Sequence, residues 1–321
     1  MDMCSRLLFA LFLFAPLPAA AFDLPAWQTP LQRDHPMTGT ILREDGSAAT
    51  PNDMAAAVRA GDFVLLGEVH DNADHHAMQA ALLKAMVDAG RKPAVVFEML
   101  PRGLQQAVND YISASADAAG FGEATQWNER GWPDWSMYQP ILQVALDHHL
   151  PVIAGDLDRA TIKAISRDGP DALTPQEVKL FGLDRALSQA QDDGMRQAIG
   201  KGHCDLMPLA ALDPMIGVQR ARDGSLADAM LSARQAGADG AVLIAGGGHA
   251  RRDYAVPTIL AARAPDVRIV VISMQEAQPD AVGADAYAQK GVVDFAVITP
   301  AAEREDQCEA LRKRFEKKPA N

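Results

Sequence analysis

An α/β fold, a mostly parallel sheet with helices on both faces and a helical insertion or cap, follows from two features of the sequence. Short runs that are apolar throughout recur at FVLLG (63–67), AVVFEM (94–99), PVIAG (151–155), AVLIAG (241–246), VRIVVISM (267–274) and DFAVIT (294–299). A strand with no polar face must be covered on both sides, which is the condition of a parallel sheet. Stretches of helical length separate most of these runs, and such crossovers are what parallel neighbours require.

Taken in order, residues 1–21 read as an export signal: Arg6, the apolar core LLFALFLFAPL (7–17), and the small residues of PAAAF (18–22), with cleavage after Ala21. The apolar run is too short to span a bilayer comfortably, so no membrane span is expected in the mature chain and the destination is the periplasm. Cys4 precedes the apolar core, so lipid anchoring is not supported. Residues 22–60, rich in Pro, Asp, Gly and Thr, read as an irregular lead-in with one short hairpin near TGTILREDGS (38–47).

A single domain is expected over 61–300. Its first strand leads to a helix over 73–90, with Asp71 or Asn72 as N-cap and Gly90 closing it. A helix over 102–115 precedes the aromatic-rich, loop-like QWNERGWPDWSMYQP (126–140), and a further helix spans about 138–149. Residues 158–236 lack strand signals, so 102–236 is mostly a helical insertion. Another helix is expected near 253–263, and 301–321 form a C-terminal tail.

The chain of 321 residues is 48% hydrophobic and 22% charged, which gives room for a large core. A net charge of −12 argues against a sequence-independent grip on nucleic acid or anionic lipid. Removing the leader leaves Cys204 and Cys308. An oxidising compartment could pair them, and the sequence leaves that open.

The chemistry gathers at strand ends. FVLLGEVHDN (63–72) places Glu68, His70 and Asp71 just past a buried strand, Glu98 interrupts the run PAVVFEM (93–99), and AVLIAGGGH (241–249) ends in three glycines and His249. Ligands of open parallel sheets bind outside the carboxyl ends of the strands. If these strands are neighbours, His70, Glu98 and His249 converge. Two imidazoles and a carboxylate suit a divalent metal, or an acid, a base and an orienting partner. Glycines 67 and 246–248 allow close backbone approach or positive φ. The adjacent pairs His75/His76 and His148/His149 diverge on a helix and so cannot easily chelate one metal. They read mostly as surface residues, with His75 near the mouth of the site. His203 reads as an exposed residue, its pairing with Cys204 on a metal being the weaker alternative. There is no P-loop, G-x-S-x-G, H-E-x-x-H or C-x-x-C-H.

At these residues the sequence resembles the ChaN family of haem-binding uptake proteins, in the Tiki/TraB superfamily that also relates to erythromycin esterases. The resemblance rests on Gly67-Glu68-Val69-His70, Gly246-Gly247-Gly248-His249, Glu98 in VFEM, Trp135-Ser136-Met137-Tyr138-Gln139-Pro140 and LPVIAGDLDR (150–159). It implies haem held in a homodimer, iron ligated by a tyrosine, and transfer to an outer- or inner-membrane haem transporter. Tyr138 matches the family pattern best, with Trp135 and its neighbours Trp127 and Trp132 as a flat wall. Tyr254 is the second candidate, beside Arg251 and Arg252, which could meet a propionate. The superfamily equally implies a metal-dependent or general-base hydrolase built on His70, Glu98 and His249, with Glu68 beside them.

Overall fold

The computed structural model describes residues 21–114, 117–208 and 211–316. The expected export signal lies, apart from Ala21, outside these residues. One eight-stranded sheet organises the chain: β1 (Ile41–Arg43), β2 (Ala48–Ala49), β3 (Phe63–Glu68), β4 (Ala94–Pro101), β5 (Val152–Asp156), β6 (Ala241–Gly246), β7 (Ile269–Glu276) and β8 (Phe295–Thr299), in the order β2-β1-β8-β7-β3-β6-β4-β5. From β8 to β5 every pairing is parallel. The β1–β2 hairpin adds an antiparallel edge to β8. The α/β fold is the one the apolar runs predict.

Alternation along each strand builds two core layers. Val64, Leu66, Val242, Ile244, Val95 and Phe97 face the helices Ala73–Asp88 and Trp135–Asp147. Phe63, Leu65, Leu243, Ala245 and Val96 face the helices Leu212–Gln235 and Val256–Arg263. Every residue of β3 and β6 is buried, as strands covered on both sides require.

Three regions depart from the sequence reading. The lead-in is more regular than expected: a helix spans Pro51–Ala60, with Thr50 closing a capping box onto Asp53 and proline at its first position. The tryptophan-rich stretch turns helical at Trp135, where Asp134 caps the backbone N–H of Ser136, instead of remaining a loop to 138. A helix, Gln307–Glu316, stands where a plain tail is expected, and a Cys204–Cys308 disulfide ties it to the end of the helix Gln189–Gly202 across a sequence separation of 104.

For the site, the decisive fact is strand order. β3, β6 and β4 lie side by side with β6 in the middle. Glu68 is level with Gly246, and Phe97 with Ile244. The ends of all three strands therefore open onto one place.

Candidate functional site at the ends of three neighbouring strands

The two G-x-x-H turns touch. A Cβ on Gly67 would meet the Ala250 Cβ at 2.9 Å and the Gly247 Cα at 3.2 Å, and one on Gly246 would meet His70 Nε2 at 2.8 Å. Neither glycine has positive φ, so it is close approach, not backbone freedom, that demands them.

His70, Glu98 and His249 converge as the strand-end rule predicts. His70 Nε2 is 3.8 Å from Glu98 Oε2, and His249 Nε2 is 3.3 Å from Glu98 Oε1. Each histidine rests on a different carboxylate: His70 Nδ1 lies 2.8 Å from Glu68 Oε1, and His249 Nδ1 lies 2.6 Å from Asp223 Oδ1. Glu98 also accepts from the Gly246 N–H at 2.7 Å and from Arg222 at 2.8 Å, and Arg222 continues to Asp156 at 2.6 Å. This is the partner that a buried carboxylate in an apolar strand needs.

Charge states follow from these contacts. Burial pushes the Glu98 carboxyl up, but His249, Arg222 and His70 outweigh it and hold it well below the usual range. For His249 burial opposes the imidazolium, yet Glu98 and Asp223 raise it to about 10. Burial raises Asp223 to about 6 against the pull of His249 and Arg222. The proton of that pair therefore rides on His249. Glu68 is held down by His76 and His70 in spite of its burial. His70 is raised, with Glu98 and then Glu68 overcoming its partial burial.

The haem contacts suggested by the family pattern are mostly inside the protein. Tyr138 is fully buried; its hydroxyl donates to Glu68 at 2.7 Å and its ring lies 3.8 Å from that of His76. Burial and then the Glu68 charge push its phenol far above the ordinary value. Trp135 is buried and donates its indole N–H to the Ala118 carbonyl at 2.8 Å. Tyr254 is buried with the Arg251 guanidinium 4.2 Å from its ring centroid, while Arg251 pairs with Asp253. Arg252 pairs with Asp294. Trp132 is different: it is half-buried, and its ring stands edge-on to His70 at 5.0 Å.

His75 and His76 are not surface residues; both are fully buried. They lie on the sheet-facing side of their helix. His75 accepts from the Val69 N–H at 2.8 Å and meets Thr299 Oγ1 at 2.8 Å, while His76 lies 3.2 Å from Glu68 and 2.9 Å from the His70 carbonyl. They brace the turn that carries His70. His149 is exposed and His148 half-buried. His203 is half-buried and closes a helix end onto the Ile199 carbonyl.

Sequence reasoning missed Asp156, Arg222 and Asp223. Asp156 ends β5, so the strand-end rule applied to VIAGD would have found it. Arg222 and Asp223 sit in the middle of the helix Leu212–Gln235, far in sequence from any strand end, and no local signal marks them as part of the site. Among the described residues no group of three or more His, Cys, Asp or Glu is arranged to hold a metal ion. The arrangement suits a proton-holding network around one half-exposed imidazole.

The family model described as haem-binding uptake, Tiki superfamily, ChaN, matches residues 54–260. Among solved structures, one described as cofacial haem binding to ChaN of Campylobacter jejuni is similar at 19% identity and a TM-score of 0.61, covering 80% of this chain and 95% of that one. At that identity the likeness speaks for the fold alone. The type III effector HopBA1 (12% identity, TM-score 0.44, covering 86% and 98%) and an erythromycin esterase, EreC, in its open conformation (12%, 0.46, 88% and 100%) are more distant. No curated protein matches the chain.

Proposed function

This chain belongs to the ChaN family of haem-binding uptake proteins in the Tiki superfamily, and from that membership we propose that it binds haem at the surface formed by His70 and Trp132. One observation carries the choice of surface. Of the two G-x-x-H histidines, His70 has 34% of its side chain exposed and His249 only 4%. An ionised Glu68 can only accept, so it fixes the proton on His70 Nδ1 and leaves Nε2 for iron. Carboxylate-backed imidazoles are stronger and better oriented ligands. Trp132 supplies an apolar ring beside it.

Haem, when bound, supplies the iron that the imidazole ligates. The chain's own part is to orient His70 and shield it. Tyr138 is then a positioning residue: ligation needs the phenolate, which its burial and Glu68 disfavour. A divalent metal on His70, Glu98 and His249 is the weaker alternative, because Arg222 already supplies positive charge to Glu98. The proposal includes export through a leader cleaved after Ala21, a homodimer around haem, and delivery to a membrane transporter. A Cys204–Cys308 disulfide suits an oxidising compartment. Among the described residues no helix is long and apolar enough to cross a membrane.

Titrating hemin into the apo-protein should give a saturable Soret shift at micromolar concentration, weakened in His70→Ala. A linear, unsaturable response would overturn the proposal.

A second reading is favoured by the buried chain Asp223–His249–Glu98 beside His70. His70 would act as a general base on water and the protonated His249 would stabilise developing negative charge. Hydrolysis of ester or peptide substrates that disappears in both His70→Ala and His249→Ala would support it. Absence of turnover in the wild type would remove it.

A further inference from the structure

A cavity of about 460 Å³ opens beyond Asp223, on the Nδ1 side of His249. Its walls come from the 179–187 segment, the helix Leu212–Gln235 and the helix Val256–Arg263. Two of its groups have unmet bonding capacity. Asp223 is 1% exposed, and its Oδ2 has no hydrogen-bond partner among the described residues. A buried carboxylate oxygen without a donor is costly. Arg220 forms no ion pair among the described residues; a single nitrogen, Nη2, donates to the Gly182 and Arg185 carbonyls. Its other nitrogens make no hydrogen bond among the described residues, and Arg220 lines the cavity. Lys179 and Arg185 line the same cavity from exposed positions, Arg263 is already paired with Asp228, and Asp184 is exposed at the rim.

In a chain of net charge −12, a cavity that gathers unpaired cations around one orphan acceptor is not explained by solvation of an acidic surface. The volume falls in the range of small-molecule sites. Its chemistry asks for a molecule with two ends. An anionic group would meet the Arg220 guanidinium, with Arg185 and Lys179 at the mouth. A donor must meet Asp223 Oδ2, since an ionised carboxylate can only accept. We infer that this cavity is a binding site, separate from the His70 surface, for a small hydroxylated organic anion such as a phosphorylated or carboxylated polyol. A hydroxyl of that ligand donates to Asp223 Oδ2 while its anion sits on Arg220. Because Asp223 also holds His249 through Oδ1, an occupied cavity bears directly on the strand-end network.

Calorimetric titration tests this with glycerol 3-phosphate and glycerate as probes, and with inorganic phosphate and glycerol as one-ended controls. Saturable binding is expected for at least one two-ended probe, at least tenfold tighter than for either control. Arg220→Gln, at a half-buried position, should weaken it tenfold or more, and Asp223→Asn should bring the two-ended probe down to the level of its control. The hemin titration should be unchanged in Arg220→Gln. Failure of both probes to saturate at millimolar concentration would overturn the inference. So would equal affinity for phosphate and glycerol 3-phosphate, or loss of hemin binding in Arg220→Gln, which would make the cavity part of the haem site.

Discussion

The two G-x-x-H turns have the same length and sit on adjacent strands, yet their histidines occupy opposite environments. His70 is braced from within its own motif, by Glu68 two residues earlier, and keeps a third of its side chain in solvent. His249 is braced by Asp223 from a helix 26 residues upstream and is sealed between that carboxylate and Glu98. The motif supplies an imidazole at a strand end; what covers it decides its use. An exposed imidazole with one fixed nitrogen can offer the other to a ligand. A sealed imidazole between two carboxylates is a resident cation, and its main effect is to keep Glu98 ionised.

The largest expected effects separate the two histidines. His249→Ala leaves Asp223 and Glu98 buried without their shared cation, and truncating one partner of such a pair costs about 3–5 kcal/mol. Urea unfolding should show that loss, while hemin affinity changes less than threefold. His70→Ala should do the reverse, with affinity down about a hundredfold and a stability loss of only about 1 kcal/mol for the hydrogen bond to Glu68. Equal effects from both would erase the contrast.

Dependence on pH comes next. His75 is pushed down to about 3, by burial and then by the charge on His76, whereas its unfolded value is near 6.5. The unfolded chain takes up that proton first, so this contribution is complete above pH 6.5 and is lost as pH falls toward 3. His249, raised to about 10, contributes fully below pH 6.5 and is lost as pH rises toward 10. Each arm has a slope of at most about 1.4 kcal/mol per pH unit. Urea midpoints should therefore peak near neutrality, with the alkaline arm flattened in His249→Asn. An alkaline arm that survives this change would assign it to another group. Hemin affinity should fall with acid, because His70 is raised above 6.5 and a protonated Nε2 cannot ligate iron.

Smaller changes sharpen the account of His70. Glu68→Gln weakens the support of the imidazole, and loss of such a partner typically costs about 10–100-fold in ligand affinity. The smallest effect is expected from Tyr138→Phe, which removes one hydrogen bond to Glu68 and about 1 kcal/mol of stability without altering the Soret spectrum. A changed spectrum would return the iron to Tyr138.

Much of this site is legible in the sequence. Local pattern sufficed for the six apolar strands, for narrowing the cap of the following helix to Asp71 or Asn72, of which Asn72 is the cap, and for Glu98 as a carboxylate in need of a partner. The sheet order was not legible, because parallel neighbours are joined by long crossovers and nothing local says that β6 inserts between β3 and β4. Once it does, the convergence of His70, Glu98 and His249 follows.

Exposure was the quantity that sequence could not supply. Trp127, Trp132 and Trp135 read as a flat binding wall and Tyr138 as an iron ligand, but burying large aromatic area stabilises the fold. Of these four rings only Trp132 keeps partial exposure, while Trp127, Trp135 and Tyr138 pack on one another. Adjacent helix positions diverge, so His75 and His76 cannot easily chelate one metal, and they read mostly as surface. Each is nevertheless enclosed, one by Thr299 of β8 and the other by Glu68 of β3. By itself the sequence determined which residues stand at strand ends and which of them can ionise, since both depend on neighbours a few positions away. Which imidazole faces water, that Arg222 and Asp223 complete the network, and that Cys204 meets Cys308 were decided by tertiary packing, because each depends on contacts between segments far apart in the chain.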